Sequence, residues 1–263
     1  SMFITNLNYN AIDNNDGGGD YLYLTGENLI SETLERLYCC ITGTPHLEMV
    51  SKVLNDSDFN LKVEIKNTLT AKRSNIILKY FKSQRTTTAD IRDYVDEAAS
   101  GGRLKAVYLD YLDLLKSESR LEDTRLDLGE ACNELKNIAI DYALPIISPT
   151  QLNKSGYDTE LVPKLTSMSE SMKKVDNSDF VLFLQPAPDP IITLNINGIP
   201  TVCKKVRMTI LKNRNGETGE SVFLIAPVRA GNIKIFNYRM LELTKFVKDI
   251  NPNMVNDSNS PWD

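Results

Sequence analysis

The segment Ala106-Val107-Tyr108-Leu109-Asp110-Tyr111-Leu112-Asp113-Leu114-Leu115 constrains the fold of this chain more than any other. It is a nearly unbroken apolar run that meets a carboxylate. A half-buried strand alternates apolar with polar residues, whereas a continuous run belongs to a strand covered on both faces, as in a parallel sheet under helices. The carboxyl end of such a strand opens on the crevice where open α/β sheets hold their ligands. Asp110 at that end is either a metal-binding carboxylate or the cap of the following helix, and the strand alone does not choose.

The rest of the chain alternates around this strand. Apolar spacing predicts a helix over Met2–Ile12, a strand over Tyr21–Thr25, a helix from Ser31 to Ile41 capped by Ser31 or Asn28, and a further helix over Asp58–Arg73. A strand follows at Asn75–Phe81, then a helix capped at Thr88-Ala89-Asp90 and ended by Gly101-Gly102. Beyond the opening strand lie a long amphipathic helix over Arg125–Tyr142 and a buried strand at Leu144–Ser148. Strands at Phe180–Leu184, Thr193–Asn197, Val206–Leu211 and Val222–Ala226 then come with little helix between them. Alternation followed by a meander predicts an α/β fold: a mostly parallel central sheet flanked by helices, with a C-terminal antiparallel extension.

Composition removes several function classes. The only histidine is His46, and Cys39, Cys40, Cys132 and Cys203 have no paired spacing, which argues against a zinc site or a histidine triad. The thiols fit a reducing, cytoplasmic setting. No run approaches the roughly 18 apolar residues of a membrane span. A net charge of −5 gives no global basic surface for nucleic acid, although lysines and arginines cluster locally, as at Lys173-Lys174 and Lys204-Lys205-Arg207.

Four more segments stand in order around Asp110. Leu22–Leu29 (LYLTGENL) puts Glu27 just past a strand end, and Leu144–Lys154 (LPIISPTQLNK) does the same for Gln151. Ser169–Leu184 joins a polar loop to a strand. Arg207–Leu224 places Lys212 and Arg214 beside the turn signal Asn215-Gly216. With the DYLDLL strand, SPTQLNKS and LKNRNG in this order, the chain resembles the RecA-like C-terminal motor domain of DnaB-type replicative helicases of bacteria and bacteriophages, over residues 1 to about 240.

The resemblance implies a RecA-like P-loop ATPase core over residues 1–247, beginning inside the Walker-A loop, and a polar tail over 248–263. Ser1 matches the hydroxyl residue that closes that loop, a tag remnant being the other origin of Ser1-Met2. Asp110 matches the Walker-B carboxylate and would share Mg²⁺ and nucleotide binding with Ser1. Glu27 would activate the attacking water, and Gln151 would sense the γ-phosphate of ATP or another nucleoside triphosphate. Lys212 and Arg214 would reach the nucleotide of a neighbouring subunit. The family's Arg-Glu-Ser-Gly DNA loop is replaced by Ser169-Glu170-Ser171-Met172, so Glu170, Ser171, Met172, Lys173 and Lys174 are the candidate DNA contacts, the two lysines supplying the charge.

The activity so implied is ATP-driven translocation on single-stranded DNA by a hexameric ring that unwinds duplex, in the cytoplasm, with primase and a helicase loader as partners and no membrane. A recombinase or KaiC-like ATPase shares the fold and the metal site. A non-hydrolysing DNA-binding scaffold is the alternative from another class.

Overall fold

The computed structural model describes residues 2–15, 17–151, 172–196, 199–227 and 241–242. The elements, in order, are α1 (Met2–Asp13), β1 (Gly19–Thr25), α2 (Ile30–Thr42), α3 (His46–Asn55), α4 (Leu61–Ala71), β2 (Ser74–Tyr80), α5 (Thr88–Ala99) and β3 (Leu104–Asp110). A short 3₁₀ helix (Leu112–Leu114) follows, then α6 (Thr124–Asp141), β4 (Ile146–Ile147) and α7 (Met172–Asn177), and last β5 (Phe180–Ile196), β6 (Ile199–Asn213), β7 (Ser221–Pro227) and β8 (Leu241–Glu242). The chain divides into two compact units, the elements through α7 and the strands β5–β8. The segment 152–171 and the tail 248–263 lie outside the described residues.

The first unit is built on a four-stranded parallel sheet in the order β2-β1-β3-β4. The opening strand is central, and its two covered faces are chemically different. Successive side chains of a strand point to opposite faces. On one face Leu22 and Leu24 of β1 and Val107 and Leu109 of β3 join Ile91 and Val95 of α5 and Cys132, Leu135 and Ile138 of α6 in a single aliphatic core. On the other face Tyr23 stacks on Tyr108 with ring centroids 6.4 Å apart. The Tyr23 hydroxyl shares a hydrogen bond with Thr5 of α1 (3.2 Å), and the Tyr108 hydroxyl donates to the Leu7 carbonyl. The run is apolar throughout because helices cover it from both sides.

Several boundaries differ from the sequence expectation for local reasons. The 46–73 region is two helices, because the Asn60 side chain accepts from Lys62 N and Val63 N and starts α4 there rather than at Asp58. The cap of α5 is Thr87, which forms a capping box with Asp90. Neither proposed cap of α2 acts as one: Leu29 holds that position without a side-chain bond, and Asn28 is engaged elsewhere.

In the second unit the antiparallel strands form their own sheet, β5-β6-β7-β8. The strands expected at Phe180–Leu184 and Thr193–Asn197 are one long β5. Its pairing with β6 breaks between Pro186 and Ile191, across Pro-Ala-Pro-Asp-Pro, where prolines withhold ladder donors. The loop between β6 and β7 runs over residues 214–220, longer than the tight turn expected at Asn215-Gly216, and its positive-φ glycine is Gly219.

Candidate active site

The strand order locates the crevice. From β1 the chain passes to β2 on one side and then crosses back to β3 on the other, so the topological switch point lies between β1 and β3. Thr25, Tyr80 and Asp110 are register partners, so these three strands end level. Gly26 N donates to the Asp110 carbonyl at 2.8 Å, which carries the chain over the end of β3 and sets down the exposed Glu27 there. Only glycine fits at that step, since a Cβ on Gly26 would sit 2.4 Å from the buried Phe81 ring.

Asp110 is 1% exposed, and Asn28 Nδ2 donates to its Oδ2 at 3.3 Å. The Thr25 hydroxyl donates to the Asn28 carbonyl (3.0 Å) and accepts from Asn28 N (3.3 Å), so the turn bearing Glu27 is held at both ends. Burial pushes the Asp110 carboxyl above the usual carboxylate range, with the Glu27 charge adding to the shift while Arg36 and the Asn28 amide oppose it. The capping alternative for Asp110 fails: Tyr111 precedes the 3₁₀ helix with no side-chain cap bond, and Asp123 caps α6.

Gln151 reaches the same corner. It is exposed, and its Nε2 donates to the Tyr111 hydroxyl at 3.3 Å. The Ser148 hydroxyl fastens the exit of β4 to that of β3, accepting from Leu112 N (2.8 Å) and donating to the Leu109 carbonyl (2.8 Å). Beside it Asp113, Thr150 and Lys174 bond to one another.

Of the sequence-predicted residues, Glu27, Asp110 and Gln151 therefore converge. Lys212, half-buried at the end of β6, and Arg214, exposed at the start of the loop after it, stand on the second unit. Ser1, Glu170 and Ser171 lie outside the described residues, as do the side chains of Met172 and Lys173. Other basic residues are committed within the chain: Lys72 pairs with Asp13, Lys79 with Glu97, and Lys205 lies over the Phe223 ring. Sequence reasoning missed Asn28, Tyr111 and Arg36 as neighbours of Asp110. Asn28 and Tyr111 each follow a singled-out residue directly, and that adjacency was the available signal.

The donor set fits a magnesium nucleotide. Among the described residues no group of three His, Cys, Asp or Glu side chains gathers around one point. A single carboxylate at the mouth of a crevice suits Mg²⁺, which takes one or two protein oxygens and completes its shell with phosphate and water. No helix among the described residues is long and apolar enough to cross a membrane.

Comparison with known proteins agrees with this geometry. The family model for the DnaB-like helicase C-terminal domain matches residues 1–227. The replicative DNA helicase DnaB of Mycobacterium leprae is 29% identical over 137 residues, covering 52% of this chain and 22% of that protein. The Mycoplasma pneumoniae DnaB is 26% identical over 153 residues, covering 56% of this chain and 32% of its own length. The matched stretch thus spans a third or less of these relatives. Among solved structures, a DnaB-like replicative helicase described with its interactions with primase superposes at a TM-score of 0.66 with 18% identity, covering 92% of this chain and 55% of the other. A solved ATPase domain gives 0.65 and 18%, covering 92% and 80%. At that identity the superpositions speak for the fold, and they agree with a RecA-like α/β core. On the strength of the family match, the chain belongs to the DnaB-like helicase C-terminal domain family.

Proposed function

We propose that this chain is the ATP-hydrolysing motor of a replicative DNA helicase that works as a six-membered ring on single-stranded DNA. The observation that carries the reading is the meeting of Glu27 and Asp110 at the β1/β3 switch point, with Gln151 tied to the intervening Tyr111. Mg²⁺, when bound with nucleotide, neutralises the phosphate oxygens during transfer. Asp110, with Ser1, would hold it, directly or through water, and the Asn28 amide keeps the carboxylate turned to that task.

Glu27 has the exposure that its role demands: it orients the attacking water and takes its proton, while the buried Asp110 does not compete for that proton in a metal-bound state. The Gln151 amide both donates and accepts, so it can trade its Tyr111 partner for a γ-phosphate oxygen. Lys212 and Arg214, on the β6–β7 hairpin of the second unit, would complete the site of the next subunit. The stretch Glu170–Lys173 would meet the DNA backbone without regard to sequence, whereas Lys174, expected among these contacts, is bonded to Asp113 and Thr150. Primase and a loader are the partners proposed for the whole protein, and the domain is proposed to extend to residue 247.

Glu27→Gln in the full-length protein tests the reading. Nucleotide affinity should stay within about threefold while turnover falls by roughly 10²–10⁴. Wild-type turnover in that variant removes Glu27 from the chemistry and the reading with it.

A further inference from the structure

Thr150 and Lys174 are 24 residues apart in sequence, yet Lys174 Nζ donates to Thr150 Oγ1 at 2.9 Å. The described residues on either side of the segment 152–171 therefore meet at one point. Asp113 closes that point: its Oδ2 accepts from the Thr150 hydroxyl at 2.7 Å and its Oδ1 from the Lys174 ammonium. The three groups form a triangle in which each bonds both others. The Lys174 side chain is 12% exposed and that of Asp113 23%, so the pair is sheltered from the screening that weakens surface ion pairs.

We propose that Asp113, Thr150 and Lys174 form a clasp at the base of the DNA-facing segment that passes the nucleotide state from Gln151 to that segment, making them positioning residues rather than DNA contacts. This rests on the reading of Gln151 and Glu170–Lys173 given above. Thr150 adjoins Gln151, so the clasp lies one residue from the amide that would move between Tyr111 and a phosphate. The far end of α7 is held by α6: Asn177 Nδ2 donates to the Gly129 carbonyl at 3.4 Å, and Lys136 pairs with Asp179 at 3.3 Å. With that end tied to α6, the end near Lys174 is held by the clasp. A clasp that is either made or broken is the two-state element that coupling requires. Lys174 cannot serve a DNA phosphate without abandoning two bonds it already makes.

The test is the affinity of the full-length protein for a fluorescent single-stranded oligonucleotide, measured by anisotropy over a salt series, with and without a non-hydrolysable ATP analogue and Mg²⁺. The wild type should show a nucleotide-dependent change of about 5- to 150-fold. Asp113→Asn, Lys174→Gln and Thr150→Val should each bring that ratio to within about twofold of unity, with nucleotide-free affinity and salt slope at wild-type values. The reversed pair Asp113→Lys with Lys174→Asp should recover part of the ratio. If a charge variant does not fold, Thr150→Val carries the test, since it removes only the bridging hydroxyl. The proposal is overturned if all folded variants keep the wild-type ratio. It is equally overturned if Lys174→Gln alone weakens binding in both nucleotide states and lowers the salt slope by about 0.7, the mark of a lost phosphate contact. A wild type whose DNA affinity ignores nucleotide instead defeats the underlying reading of Gln151, a result visible before any variant is made.

Discussion

Asn28 grips Asp110: the amide that follows Glu27 donates to the Asp110 carboxylate across 82 positions of sequence, at 3.3 Å. The turn that carries Glu27 is thereby tied to Asp110 through the next residue along the chain. Hydrogen bonds to charged groups contribute about 1.5–3 kcal/mol, so Asn28→Leu should raise the Mg²⁺ concentration needed for nucleotide binding about tenfold or more. A magnesium titration of fluorescent-nucleotide binding reads this directly, and an unshifted midpoint would show the contact to be idle.

Asp110 is buried as an acid whose charged form burial disfavours. Asp110→Asn should therefore melt higher than the wild type in nucleotide-free buffer at neutral pH, while losing the further rise that magnesium nucleotide gives the wild type. The sign in pH follows. With the folded value above the ordinary one, the native state holds the extra proton, so wild-type stability falls as pH rises from the ordinary carboxylate value through the folded one. Thermal melts of both proteins across that range should differ in slope in this sense.

Asp127 has the opposite sign. Burial works to raise its carboxyl, but the Ser117 hydroxyl (2.6 Å), Leu121 N (2.9 Å) and Lys116 outweigh it and hold the group below the usual range. Its contribution is complete above the unfolded value and is lost as pH falls through the lower folded one. Asp127→Ala should cost about 1–3 kcal/mol in urea unfolding at neutral pH, a difference that shrinks as the solution is acidified.

Arg214 is predicted to act across a subunit boundary. Rings mixed from Arg214→Ala and Glu27→Gln subunits should hydrolyse ATP faster than either pure ring, because some interfaces combine an intact Glu27 with an intact Arg214. Native mass spectrometry establishes that the rings are mixed. Activity no higher than in the pure variants places the arginine elsewhere.

The four thiols are buried, and burial pushes Cys39 and Cys132 up to about 12. At neutral pH they should resist alkylation until the protein unfolds, as peptide mass mapping over a urea series would show.

The candidate crevice was legible in the sequence where polar residues and strand ends coincide. Asp110 ends an apolar strand, Glu27 stands two residues past one and Gln151 four residues past another, and the parallel sheet brings the ends of β1 and β3 level. Asn28 was read as a helix cap because a polar residue before a helix usually serves one. Its bond to Asp110 depends on β1 and β3 being neighbours, which is a tertiary fact. Asp113 has its place between Thr150 and Lys174, residues far from it in sequence, which only the tertiary structure reveals. The sequence suggests two strands where the structure has one long β5, whose ladder is only interrupted between Pro186 and Ile191.

The level ends of β1 and β3 also decide where motion can enter. Adjacent strands stand about 4.8 Å apart and are laced by hydrogen bonds, so the footing of the two acids is as stiff as the sheet itself. Gly26, wedged against Phe81 and bonded to the Asp110 carbonyl, leaves the turn little play. Domain closure cannot tune the distance between these carboxylates, because both ride on one rigid comb. On the proposed reading, timing of the chemistry would come from parts that are not teeth of that comb: the Gln151 amide, the clasp beside it, and the hairpin of a neighbouring subunit.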